Sequence, residues 1–216
     1  MIRQFGLIDV QFLVAAIRWT LALTAAAFIG GGLIGLAIAV LRVSSFLPAR
    51  ALAVAYIQLI QGTPLLVILF VFFFGLSILG LPVRPWIAAT LAFSIYAGAF
   101  LGEIWRGALQ SIPRTQWEAG GALGLGFFEQ LRYVIVPQAV RIAIPPTVGF
   151  LVQLIKNTSL AATIGFVELT REGQLTTAST FQPFSVYLTV AFFYFLMCFP
   201  LTQWSRTLER RLHVAG

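Results

Sequence analysis

The sequence predicts an all-α, polytopic membrane protein with five transmembrane helices and one long polar segment between the third and fourth. Composition is the first observation behind that expectation. Hydrophobic residues make up 59% of the 216 and charged ones only 10%, against about 25% charged in soluble domains, and mean hydropathy is +0.93. The second is that residues 19–41, 51–83, 85–102 and 173–205 contain no Asp, Glu, Lys or Arg, while a span needs about 20 apolar residues. The third is the stretch Glu118–Pro137, EAGGALGLGFFEQLRYVIVP. Its carboxylate, its cluster of glycines and its helix-starting proline suit a docking surface better than a lipid-facing one.

Taken in order, residues 1–18 read as a short outer interfacial helix and residues 19–41 as a retained first span. Residues 19–30, with Ala25 and Ala27, mimic a signal-peptide core, but the eighteen residues ahead of them are too many and too apolar for a basic leader. Gly31 and Gly35 form a small-xxx-small pair that admits a close neighbour. Gly30, Gly32 and Gly35 also spell GxGxxG, but with no strand before them the dinucleotide reading fails. Arg42–Arg50 is a short inner loop. The second span, about 51–78, holds Gln58, Gln61, Gly62, Thr63 and Pro64, and the proline predicts a kink or local opening. Such irregular backbone survives at membrane depth only when buried in protein or lining a wet cavity. The third span, about 86–105, ends with Glu103 and Arg106, which share a helix face. Residues 107–137 are the inner segment. The fourth span, about 138–157, carries Pro145 and Pro146 and ends at Lys156-Asn157-Thr158-Ser159. A short helical piece to Leu169 and a polar outer stretch lead to the fifth span, about 184–205, and an amphipathic tail. The whole chain is one transmembrane domain without internal duplication.

A net charge of +7 raises nucleic acid, but the basic residues are dispersed and membrane topology accounts for them. With the N-terminus outside, Arg42, Arg50, Arg106, Arg114, Arg132, Arg141, Arg206, Arg210 and Arg211 fall inside. Arg3, Arg18, Arg84, Arg171 and Lys156 fall outside, and the C-terminus is cytoplasmic. The single cysteine, Cys198, and the single histidine leave no disulfide framework and no paired-histidine metal site. Neither HExxH nor GxSxG is present, and the lone lysine, Lys156, lies between Ile155 and Asn157, so no Walker A loop exists. Glu168 and Glu172, one turn apart, read as a polar outer rim. The chain is expected to be no enzyme and to bind no metal or cofactor itself.

Within the inner segment Trp117, Gly120, Gly121, Gly124, Phe127 and Phe128 fall near one helical face. Each glycine costs a helix about 1 kcal/mol relative to alanine, so close approach of another backbone is one explanation. Internal packing is the other, with Glu118 a helix-start charge on the dipole. Gln58, Gln61 and Thr63 either meet polar substrate groups or satisfy backbone opened by Pro64. Lys156 either snorkels to the outer interface or lines a path.

Glu118, Ala119, Gly120 and Gly124, followed by Val134, Ile135, Val136 and Pro137, resemble the "EAA" loop of permease subunits in binding-protein-dependent ABC importers. Gln61 to Leu66, Glu103 to Gly107, Ile112 to Trp117, Pro137-Gln138-Ala139, Lys156 to Leu160 and Glu168-Leu169 are similar to the polar amino acid branch of that family. Gln61, Thr115 and Asn157 stand where arginine, glycine and aspartate are usual. The resemblance implies a type I permease fold with a coupling helix in the bacterial cytoplasmic (inner) membrane. Glu118, Ala119, Gly120, Gly124 and Pro137 would engage cytoplasmic ATPase subunits, which bind ATP and Mg. Gln58, Gln61, Thr63, Lys156, Asn157, Thr158 and Ser159 would line the substrate path. A second permease subunit (a copy or a paralogue) and an extracytoplasmic solute-binding protein complete the implied assembly. The cargo would be a polar amino acid, with another small solute or a passive channel as the competing readings.

Overall fold

The computed structural model describes residues 4–44 and 46–213, with side chains through Arg210; Arg3 and the Arg211 side chain lie outside that description. Among the described residues there are eight helices and no strand. They are α1 Leu7–Val43, α2 Leu47–Gln61, α3 Leu65–Ile78, α4 Pro85–Gln110, α5 Arg114–Ala122, α6 Phe127–Ile164, α7 Leu169–Thr180 and α8 Pro183–His213. Four of them, α1, α4, α6 and α8, are each long and apolar enough to cross a membrane, and the bent pair α2–α3 makes a fifth crossing if counted as one. Large apolar side chains such as Ile29, Leu33, Leu59, Leu188 and Phe192 point outward and are exposed, the surface a bilayer requires.

The separate outer helix expected over residues 1–18 does not form. One helix of 37 residues runs from Leu7 to Val43, because no proline interrupts it and its start is set further upstream. There the Gly6 N–H donates to Asp9 Oδ2 at 3.0 Å. Its glycines are spent on α4, which runs parallel to it. A Cβ on Gly35 would stand 2.9 Å from Leu101 Cβ and 3.0 Å from the Gly102 nitrogen, and one on Gly102 would stand 2.7 Å from Ile38 Cγ2. Small residues on both helices, Gly31 and Gly35 against Gly98 and Gly102, therefore let the backbones nearly touch.

Around this crossing lies the main core. It joins Leu23 and Ala27 of α1, Leu65 and Leu69 of α3, Ala92, Phe93 and Leu101 of α4, and Leu154, Ala161 and Ile164 of α6. A smaller core of Leu13, Leu169, Val186 and Val190 holds α7 and α8 to α1. At one end of the α1–α4 pair Trp19, Trp86 and Phe166 cluster, with centroids 5.4 to 6.5 Å apart, as aromatics do at a membrane interface. At the other end Glu103 pairs with Arg106, as its spacing implies, and also with Arg42 Nε at 3.6 Å.

The predicted disturbance at Pro64 is a corner of 100° between α2 and α3. Gly62 N–H still reaches Gln58 O at 2.9 Å, and α3 restarts on Pro64 O, which accepts from Val67 N–H at 2.9 Å. Thr63 Oγ1 donates to Leu59 O at 2.7 Å, supplying the bond that its own N–H no longer makes.

Glu168 and Glu172 do not form an outer rim. Glu168 is fully buried and caps α7, accepting from Arg171 N–H at 2.9 Å and Thr170 N–H at 3.0 Å. The Tyr194 hydroxyl of α8 donates to it at 2.8 Å. Burial pushes its carboxyl above the usual carboxylate range, and these donors pull it back.

Candidate coupling surface and substrate path

Helix α5 is clamped on one side and free on the other. The Trp117 ring stacks on Phe127 with centroids 5.7 Å apart, in a cluster with buried Ile112, Ile135 and Ala139. Gln138 Nε2 donates to Gln116 Oε1 at 3.2 Å and to Val134 O at 2.8 Å. Gly120 is buried, and a Cβ there would come within 2.9 Å of Gln130 Cγ. On the opposite face Arg114, Thr115, Glu118 and Ala119 are exposed.

This arrangement divides the residues that the sequence groups together. Glu118 is the fifth residue of α5, not its start, and the dipole's influence is confined to the first turn, so a helix-start role does not hold for it. Gly124 lies beyond the helix with φ of +77°. Leu125 N–H bonds Gly120 O at 3.1 Å and Gly124 N–H bonds Gly121 O at 2.9 Å, the Schellman stop that favours glycine. Phe127 and Phe128 belong to α6, so the single helical face expected over Trp117–Phe128 does not exist. Pro137 stands at the start of the regular α-helical stretch Val136–Asn157, as expected, but that stretch continues α6 and does not begin a separate helix. The proline follows a π turn over Leu131–Ile135, in which Val136 N–H reaches back five residues to Leu131 O, and the widened turn makes room for the proline ring.

The membrane-depth candidates converge on α4. Tyr56 of α2 donates to Ile95 O at 2.6 Å, and Gln61 Nε2 reaches Ala99 O at 3.5 Å. From α6, Asn157 lies beside the Tyr96 side chain and accepts from Gln153 Nε2 at 3.2 Å. Tyr96, Phe100 and Phe150 stack beside them, with centroids 4.6 to 6.3 Å apart. Gln61 and Asn157 thus flank one polar and aromatic face, with Tyr96 at its centre. The sequence reading missed Tyr96; a tyrosine inside a charge-free span was the available signal.

The remaining candidates are dispersed around this face. Gln58 is exposed and Thr63 serves the corner. Thr158 is fully buried and donates to Ile155 O at 2.7 Å, and Ser159 donates to Lys156 O at 2.7 Å. Lys156 is exposed. No group of three or more metal-ligating side chains occurs among the described residues.

A bundle of membrane-crossing helices with the short polar helix α5 fastened to α6 on one face and exposed on the other defines a polytopic membrane subunit. Residues 31–214 match the family described as binding-protein-dependent transport system inner membrane component. The chain is 37% identical to the probable glutamine ABC transporter permease protein GlnM of Bacillus subtilis (strain 168), covering 89% of each. It is 39% identical to the L-cystine transport system permease protein TcyB of the same organism, over 91% of this chain and 84% of that one. A solved structure described as an amino acid ABC transporter with histidines superposes with a TM-score of 0.88 at 33% identity, covering 93% of this chain and 94% of the other. The chain belongs to this family: it is a permease subunit of a binding-protein-dependent ABC importer, with the type I permease fold.

Proposed function

We propose that this permease imports a polar amino acid and that Glu118 and Ala119 on the free face of α5 are the contact through which separate ATPase subunits drive it. The observation that carries this reading is the two-faced α5. Trp117, Gln116 and Gly120 fasten it to α6, so a force on the exposed face reaches the spans without loss in a flexible loop. Gly120 seats α5 on Gln130, Gly124 ends it, and Pro137 lies past the π turn of α6 on which α5 rests; their part in coupling is to hold that face in place. ATP and Mg bind the partner, where hydrolysis occurs. A solute-binding protein delivers cargo at the Trp19–Trp86 end, and a second permease, a copy or a paralogue, completes the pathway. The crowding of Arg42, Arg106 and Arg114 at the α5 end supports placing that end in the cytoplasm, with the N-terminus outside.

Cargo passes the face made by Gln61, Tyr96 and Asn157, whose amides and hydroxyl match the polar groups of an amino acid. Gln58, Thr63, Lys156 and Ser159 border it, and Thr158 supports the turn from beneath. The relatives' amino acid substrates favour this class of cargo.

The deciding experiment is co-purification with a candidate ATPase, then reconstitution and measurement of hydrolysis with and without loaded binding protein. Stimulation by the loaded form is expected; solute flux without nucleotide would overturn the reading. For the path, Tyr96→Phe removes the hydroxyl beside Asn157. Since one hydrogen bond contributes about 0.5–1.5 kcal/mol, the apparent KM for transported solute should rise about 2- to 10-fold. An unchanged KM would take Tyr96 off the path.

A further inference from the structure

Two cavities on the flank of the bundle are neighbours that share Leu109 in their linings. The first, of about 480 Å³, lies between α1, α4 and α6 and is lined by apolar side chains including Leu36, Val40 and Ala143. Its two polar side chains are bonded to each other, Trp105 Nε1 donating to Thr147 Oγ1 at 3.0 Å. The second, of about 580 Å³, sits at the α5 end and is ringed by Arg42, Arg50 and Arg114 with no carboxylate in its lining. The walls run on from one cavity to the other. Val40 gives way to Arg42 along α1, Val136 to Ile135 along α6, and Leu109 of α4 lines both. Arg42 Nε is buried and makes no hydrogen bond among the described residues, standing 3.6 Å from Glu103 Oε2.

An occupant that fills both parts needs an anionic head and an apolar tail in that order, with the head at the α5 end. We propose that one anionic glycerophospholipid of the inner leaflet binds here, its phosphate among Arg42, Arg50 and Arg114 and an acyl chain in the groove past Ala143. Basic pockets between membrane helices on the cytoplasmic side suit such headgroups. A water-soluble ATPase meets only the rim of the basic cavity and leaves the apolar groove empty. The placement in the inner leaflet rests on the orientation proposed above. Because the Trp117 and Leu131 side chains also line the basic cavity, the bound headgroup braces the coupling helix against α1.

The test uses the permease purified with its ATPase and measures retention of labelled phosphatidylglycerol and phosphatidylethanolamine by native mass spectrometry. Phosphatidylglycerol is expected to be retained preferentially, one per permease, and to survive millimolar inorganic phosphate. The double variant Arg50→Gln, Arg114→Gln should weaken retention roughly thirtyfold, from about fivefold per guanidinium. Ala143→Trp, which fills the groove and leaves the arginines in place, should weaken it independently. Equal retention of both lipids, or undiminished retention in both variants, overturns the proposal. Displacement by inorganic phosphate reduces the site to a simple anion site, and cross-linking of Ala143→Cys between two copies makes the groove a subunit interface; either result overturns it as well. Lipid retention needs no hydrolysis, so intact retention in a complex that binding protein fails to stimulate would count against the coupling reading alone. Labelling of Glu118→Cys from outside would count against the orientation alone.

Discussion

Replacing Glu118 with alanine is expected to cut ATP-driven uptake by about 30-fold to more than a thousandfold while the protein still inserts and folds. Removing one partner of a desolvated charge pair at an interface costs about 2–5 kcal/mol, and each 1.4 kcal/mol is tenfold. The side chain lies on the exposed face of α5, where a substitution shifts folding by only about 0.5 kcal/mol. Loss of function would therefore come from the docking contact. Uptake into proteoliposomes and stimulated hydrolysis are the measurements, with co-purified ATPase as the check on assembly. Normal uptake by the variant would refute the assignment of α5.

Leucine at Gly31 should have the largest effect on stability. A Cβ there already stands 3.1 Å from the Ala97 carbonyl carbon and from the Gly98 nitrogen. Those are backbone atoms, which yield only if α4 moves away as a whole. Overpacking costs typically 1–3 kcal/mol, and a full leucine at a backbone contact belongs at or above the top of that range. Gly31→Leu should lose most of its folded yield and melt well below the parent in detergent, with Gly31→Ala between them. An unchanged melting temperature would mean that α1 can leave α4 without consequence.

Much of this fold was legible because its signals are local. Charge-free runs marked most of the membrane-crossing segments, Pro64 marked the corner, Gly31 and Gly35 marked a close helix neighbour, and Glu103 and Arg106 lay on one helix face. What escaped notice depended on partners distant in sequence or on turn geometry. The burial of Glu168 depends on Tyr194, 26 residues later. Arg42 joins Glu103 from another helix. The glycines after Glu118 looked alike, yet Gly120 is packed against Gln130 while Gly124 takes a left-handed conformation. Helical spacing cannot separate those uses when the helix itself stops between them. Pro137 looked like the start of a separate helix because a proline there normally is one; the π turn before it leaves no trace in hydropathy.

The corner between α2 and α3 has a mechanical consequence. Among the described residues no backbone hydrogen bond links position 61 or earlier to position 65 or later, and the Thr63 hydroxyl closes the α2 end from within. Swinging one arm against the other would therefore cost torsion and side-chain repacking, the Gln61 contact with Ala99 O included, without breaking a backbone bond between the arms. An elbow of this kind can flex in a solvent that offers no replacement donors without forfeiting a ladder bond.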